Sequence, residues 1–180
     1  MTDQRMVGER RLEVTQGDIT REAVDAIANA ANAALCGGGG VDGAIHAAAG
    51  PELMVELRRD HPHGTPVGTA VATGGFALPA RWVFHAVGPI WGGGGHGERE
   101  LLEGAYRSCL GLADRLGARS VAFPAISMGI YRYPAPEGAE VALATVAQHL
   151  SGPTSIEVAR FVLFSSGKFG VFREALARLT

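Results

Sequence analysis

Short apolar runs rich in β-branched and aromatic residues alternate along this chain with segments whose apolar residues recur at helical spacing. "RLEVTQGDI" carries a strand-like alternation that ends at Gly17, and "TREAVDAI" then reads as a short helix with Thr20 as its cap. "DAIANAA" is small and apolar enough to be a buried strand, and "GTAVATGG", "RWVFHAVG", "SVAFPAI" and "RFVLFSS" read as further strands. Helical segments lie between them. Residues 42 to 59 form one, broken at "AGPE", where Gly50 ends a segment and Pro51 starts the next. From Glu98 to Leu116, Leu102, Ala105, Cys109, Leu112 and Leu116 share a face. From about Pro136 to Leu150, Leu143, Val146, Ala147 and Leu150 do the same, and "FGVFREALARL" closes the chain.

Crossover helices between apolar strands imply a three-layer α/β/α sandwich with a mixed, mainly parallel central sheet. At 180 residues the chain is expected to be a single domain spanning 1–180, burying about 70% of its unfolded surface around one core. In such folds ligands lie beyond the carboxyl ends of the strands. The loops that follow strands therefore matter most, and "QGDIT", "NAANAALCGGGGVDG" and "AISMGIYRYP" are unusual among them.

Composition excludes several classes. Apolar residues are 47% and charged residues 19% of the chain, which argues against disorder. No apolar run approaches the roughly 18 residues of a membrane span, and the N-terminus lacks the apolar stretch of a signal peptide. A cytoplasmic address and no membrane partner follow as expectations. Cys36 and Cys109 are too few to staple a secreted fold or to hold zinc unaided, so both are expected to be free thiols. A net charge of -2 argues against broad nucleic-acid binding. An anionic ligand remains possible, because backbone amides hold phosphate without net positive charge.

Gly37 to Gly40, lying after a strand and before a helix, suit close backbone approach to an anion; a plain flexible turn is the alternative. Gly38, Gly40 and Gly43 also satisfy the G-x-G-x-x-G spacing of dinucleotide-binding turns. That rival expects an acidic residue at the end of the next strand, whereas Asp60 follows the helical "ELMVELRR". The Walker pattern is absent, since no glycine stands five positions before the Gly167-Lys168 pair. His61 and His63 in "HPH" fall short of a metal site, and His46 and His85, in apolar segments, read as satisfied core histidines.

"QGDIT", "NAAN", the six residues between Asn32 and "GGV", "DGAIHAAAG", "HAVGPIW" and "FPAISMGIY" occur in one order that resembles macrodomains of the MacroD type. The resemblance runs from Leu12 to the last helix. It implies binding of ADP-ribose and hydrolysis of esters on its distal ribose, either O-acetyl-ADP-ribose or mono-ADP-ribosylated aspartate and glutamate of proteins. The alternative is a non-catalytic ADP-ribose reader. No metal and no cofactor are implied.

By this resemblance Asp18 accepts a hydrogen bond from the adenine amino group and Ile19 supplies a backbone amide nearby; Asp18 as the polar end of a turn is the bland alternative. Asn32 holds the distal ribose, with Asn29 behind it steadying the loop, and Gly39, Gly40 and Val41 lie against the diphosphate and that ribose. Asp42 carries two compatible readings, an N-cap at the start of the next helix and, with Asn32, a catalytic group. Ser127, Met128, Gly129, Ile130 and Tyr131 resemble the second phosphate loop, Tyr131 covering the distal ribose. Phe164 is placed to stack on adenine, with Phe169 the alternative. The family pattern has threonine at Met128 and glycine at Arg132, and Arg132 is expected to face solvent, the alternative being an ion pair with a phosphate or with the modified protein's acidic side chain.

Overall fold

A computed structural model describes residues 1–180. The strands are β1 (Thr2–Val7), β2 (Arg10–Gln16), β3 (Ala26–Ala30), β4 (Ala70–Gly74), β5 (Trp82–Ala86), β6 (Ser120–Phe123) and β7 (Val158–Leu163). The helices are α1 (Gly40–Ala49), α2 (Glu52–Asp60), α3 (Glu98–Leu116), α4 (Ala135–Leu150) and α5 (Ser166–Arg178). The strands form one sheet in the order β1-β2-β7-β6-β3-β5-β4. The run β2-β7-β6-β3-β5 is parallel, and the edge strands β1 and β4 are antiparallel to their neighbours. The three-layer, mainly parallel sandwich expected from the alternation is the architecture observed.

Alternation along the strands divides the core. Ala26 and Ala28 of β3, Phe84 of β5 and Phe161 of β7 face α3, α4 and α5, joining Tyr106, Phe123 and Phe172 in the larger cluster. Ile27, Val83, Ala122 and Val162 point the other way, against Ile45 of α1 and Leu53 and Leu57 of α2. Because period-two strands buried on both faces have no polar side, the central strands read as nearly continuous apolar runs.

One strand goes beyond the sequence reading, and two of its expectations change. β1, which hairpins onto β2, carries an exposed–half-buried alternation over "TDQRMV" and has no apolar run to reveal it. "TREAVDAI" forms only a 3-10 turn, Ile19–Arg21, and its cap is Asp18, whose carboxylate accepts from the Thr20 backbone N–H and hydroxyl at 3.0 and 2.7 Å. Thr20 is thus the donor and not the cap. On α3 the buried face is centred on Tyr106, Cys109 and Leu110, while Leu116 is exposed. No helix is long and apolar enough to cross a membrane.

The glycine-rich loop after β5 is held by one acid. Glu98, buried at the start of α3, accepts from the N–H groups of Gly92, Gly94 and His96 at 3.0, 2.7 and 2.6 Å. Burial opposes its ionisation, yet the amides of Gly94, Gly92, Glu98 itself and His96 outweigh burial and hold the carboxyl at about 2. A folded-state value below the usual 4.5 stabilises the fold above the unfolded value and is lost as pH falls from about 4.5 towards 2. Glu98→Gln should therefore lower stability at neutral pH and flatten the acid limb of a stability–pH profile followed by urea denaturation.

Candidate functional site

A cleft of about 630 Å³ opens where the parallel strands end. Gly17 after β2, Ala31 after β3, Gly88 after β5, Pro124 after β6 and Phe164 after β7 all line it. Its volume is that of a typical small-ligand site. Asp18, Asp42 and Lys168 are the charged residues on its wall. With a single cation present, an anion here would rely on backbone N–H groups.

The first wall is the loop from Asn32 to Val41. Asn32 Oδ1 accepts from the Cys36 N–H at 3.2 Å and its Nδ2 donates to the Gly37 carbonyl at 2.9 Å, so this side chain folds the loop as well as lining the cleft. One Nδ2 proton stays uncommitted. Gly39, Gly40 and Val41 line the cleft, and a Cβ on Gly39 would meet no protein atom within 4 Å. Gly43 is tighter: its Cβ position lies 2.7 Å from the Gly38 carbonyl, so glycine is what lets α1 back onto the loop.

Asp42 is not the helix cap. α1 begins at Gly40 with Gly39 in the cap position, so Asp42 sits inside the first turn, where an acid still suits the helix dipole. Buried to 5% exposure, it takes the Asn29 Nδ2 on Oδ1 at 2.7 Å, with His46 Nε2 3.3 Å from the same oxygen. Oδ2 makes no protein hydrogen bond and lies 3.3 Å from where a Cβ on Gly38 would stand. Asn29 is fully buried and serves Asp42 directly. His46 is half-buried beside Asp42, outside the core, whereas His85 is fully buried and bonded on both ring nitrogens.

The second wall follows β6. Tyr106 OH donates to the Pro124 carbonyl at 3.0 Å and accepts from the Ile126 N–H at 3.1 Å, which anchors the loop from α3. Burial raises the Tyr106 phenol well above its usual value, so it stays a neutral donor. Ser127, Gly129, Ile130 and Tyr131 line the cleft. Ser127 holds φ of +66° and its buried Oγ has no protein partner. Met128 does not line the cleft: its apolar side chain packs in the core, 2.8 Å from the Cβ position of Gly138, whose missing side chain leaves it the room.

Arg132 is exposed, makes no ion pair and adopts φ of +62°. This is the conformation for which glycine is suited, and an L-residue there costs about 1–2 kcal/mol. Offset by the larger unfolded entropy of glycine, Arg132→Gly should stabilise the protein by about 0.5–1 kcal/mol in urea titration.

At the far end Phe164 is 85% exposed on the cleft wall, while Phe169 is packed in the core. Of the two aromatics the sequence offered, Phe164 faces the cleft and Phe169 does not. Asp18 and Ile19 lie nearby on the wall, the Asp18 carboxyl held low by the Thr20 side-chain and backbone bonds. The sequence reading assigned Lys168, Gly88 and Tyr106 no place in the site: Lys168 entered only with the absent Walker pattern, and "HAVGPIW" contained Gly88, whose use only a three-dimensional contact shows. His61 and His63 follow α2, and no group of three or more His, Cys, Asp or Glu is gathered to hold a metal.

Open α/β sheets that carry a ligand cleft at the carboxyl ends of their strands form one class of binding folds, and this chain has that design. Within the class its kinship is specific. The Macro domain family model matches residues 28–142, and the chain belongs to that family. It is 54% identical to an O-acetyl-ADP-ribose deacetylase of Salmonella gallinarum over 171 residues, 94% of this chain and 91% of that protein. A macro domain-containing protein of Cupriavidus necator is 49% identical over 174 residues, 96% of this chain and all of that one. Among solved structures, an Oceanobacillus iheyensis macrodomain variant with ADPR has a TM-score of 0.93 at 40% identity, covering 99% of this chain and 98% of its own. The Trypanosoma brucei macrodomain in complex with ADP-ribose has a TM-score of 0.85 at 35% identity, covering 92% of this chain and 68% of its own.

Proposed function

We propose that the protein binds ADP-ribose in the cleft and hydrolyses esters on its distal ribose, with O-acetyl-ADP-ribose and mono-ADP-ribosylated aspartate or glutamate of proteins as substrates. The observation that carries this reading is the state of Asp42: Oδ1 accepts from Asn29 with His46 Nε2 3.3 Å away, and Oδ2 is free of protein partners. Its relatives support the same chemistry, since the Salmonella gallinarum protein is named for deacetylating O-acetyl-ADP-ribose. The remaining assignments follow the cleft. Asp18, Ile19 and Phe164 take the adenine end; Gly39, Gly40, Val41, Ser127, Gly129 and Ile130 surround the diphosphate; Asn32 and Tyr131 hold the distal ribose.

In this mechanism the loops position the ester, and Asp42 Oδ2 orients or deprotonates a water. Where attack falls on the anomeric carbon, the leaving group is a carboxylate and departs without strong acid help. General-base assistance of this kind is worth roughly 10²–10⁴-fold.

We read residues 1–180 as one macrodomain. In support, β2 near the start of the chain pairs with β7 near its end. A reducing, cytoplasmic setting accords with free Cys36 and Cys109.

The test is parallel incubation with O-acetyl-ADP-ribose and with glutamate-, serine- and arginine-linked ADP-ribosyl proteins. Release from the esters is expected. Tight ADP-ribose binding by calorimetry with no release from any substrate would make the protein a reader.

A further inference from the structure

Behind Asp42 a line of buried polar groups runs away from the cleft and across the sheet. Asn29 Nδ2, which donates to Asp42, also lies 3.2 Å from His85 Nδ1; His85 Nε2 lies 2.9 Å from Thr73 Oγ1; and Thr73 Oγ1 donates to the Gly74 carbonyl at 3.0 Å. Asn29, His85 and Thr73 stand on the adjacent strands β3, β5 and β4, Asn29 opposite His85 in the parallel register. Asn29 and His85 are fully buried and Thr73 is 3% exposed. Neither Thr73 nor His85 lines the cleft.

The proton positions in this line are determined by its ends. The Asp42 carboxylate only accepts, so the Asn29 amide must turn its NH₂ towards it; a flipped amide would set two oxygens 2.7 Å apart. The second Nδ2 proton then points at His85 Nδ1, which must present a lone pair. At the other end the Gly74 carbonyl offers the Thr73 hydroxyl an acceptor, and with its proton there the Thr73 oxygen accepts from His85 Nε2. Both ends favour the same neutral tautomer, with the proton on Nε2. Burial, aided by the charges of His46 and His61, keeps the imidazole neutral down to about pH 3.

We propose that Thr73 and His85 are positioning residues: by holding His85 as its Nε2–H tautomer, Thr73 fixes the Asn29 amide and so aims the Asp42 carboxylate into the cleft. Without the hydroxyl, the imidazole is free to carry its proton on Nδ1, where it opposes the Asn29 N–H and favours the flipped amide that repels Asp42. The catalytic consequence rests on the hydrolase reading above, while the tautomer does not. Residues that orient a site from behind in this way commonly matter as much as its direct ligands.

Thr73→Val and Thr73→Ser separate the relay from packing, since the first keeps the shape without the hydroxyl and the second keeps the hydroxyl. Thr73→Val is expected to lower kcat on O-acetyl-ADP-ribose about tenfold. KM and ADP-ribose affinity should stay at their wild-type values, and Thr73→Ser should retain most of kcat. Long-range ¹⁵N–¹H correlation spectra should place the His85 proton on Nε2 in the wild type and show that preference lost in Thr73→Val. An Nδ1–H tautomer in the wild type, undiminished kcat in Thr73→Val, or an equal loss in both variants would overturn the relay. If the wild-type protein hydrolyses no ester, the hydrolase reading fails separately, and the wild-type and Thr73→Val spectra still decide the relay.

Discussion

Asp42→Asn is expected to bind ADP-ribose with near wild-type affinity in calorimetry while losing about 10²–10⁴-fold in kcat on O-acetyl-ADP-ribose. The two readouts separate because the substitution preserves shape and removes a base. An asparagine in this place offers an oxygen to the Asn29 Nδ2, which reaches Asp42 at 2.7 Å, so the buried contact survives. What disappears is the second carboxylate oxygen, the one with no protein partner. Unchanged turnover by the variant on a glutamate-linked ADP-ribosyl protein would remove Asp42 from the mechanism. A parallel loss of ADP-ribose affinity would instead make the residue a ligand-holding group.

Gly88→Ala should damage the opposite wall. Its Cβ would collide with Ser127 Oγ and lie 2.6 Å from Ile126 Cγ2, far inside van der Waals contact. Ser127 can rotate its hydroxyl away, but Ile126 is fully buried and its N–H is held by Tyr106, so the loop must shift as a unit. Overpacking of this kind costs about 1–3 kcal/mol, read as a lower urea midpoint. Because Ser127 and its neighbours form the wall, ADP-ribose affinity should fall about tenfold for each 1.4 kcal/mol of binding free energy lost. Wild-type affinity in this variant would mean that the second loop does not grip the ligand.

Legibility in the sequence followed the range of the interactions concerned. Strand and helix alternation is local, and β2 to β7 and all five helices lay where periodicity placed them within a few residues. β1 was missed because an edge strand half in solvent needs no apolar pattern. The Thr20 cap failed for a local reason of another kind, since Asp18, two residues earlier, takes the cap position and accepts from the Thr20 N–H and hydroxyl. Lys168 and Gly88 stood in stretches the sequence already marked, yet nothing along the chain placed them in the cleft; they line it because β7 and β5 end beside β6 and β3.

The opening motifs therefore divide by cause. From its residues alone the chain determined an α/β/α sandwich, glycine-bearing loops after the parallel strands and the family likeness, because backbone freedom and apolar periodicity are properties of neighbouring residues. Tertiary structure decided which side chains those loops present. It turned Met128 into the core, chose Phe164 over Phe169, moved Asp42 from cap to cleft wall, and set His85 behind Asn29. Each of these depends on what stands across the sheet or the cleft, at a distance along the chain that no local pattern records.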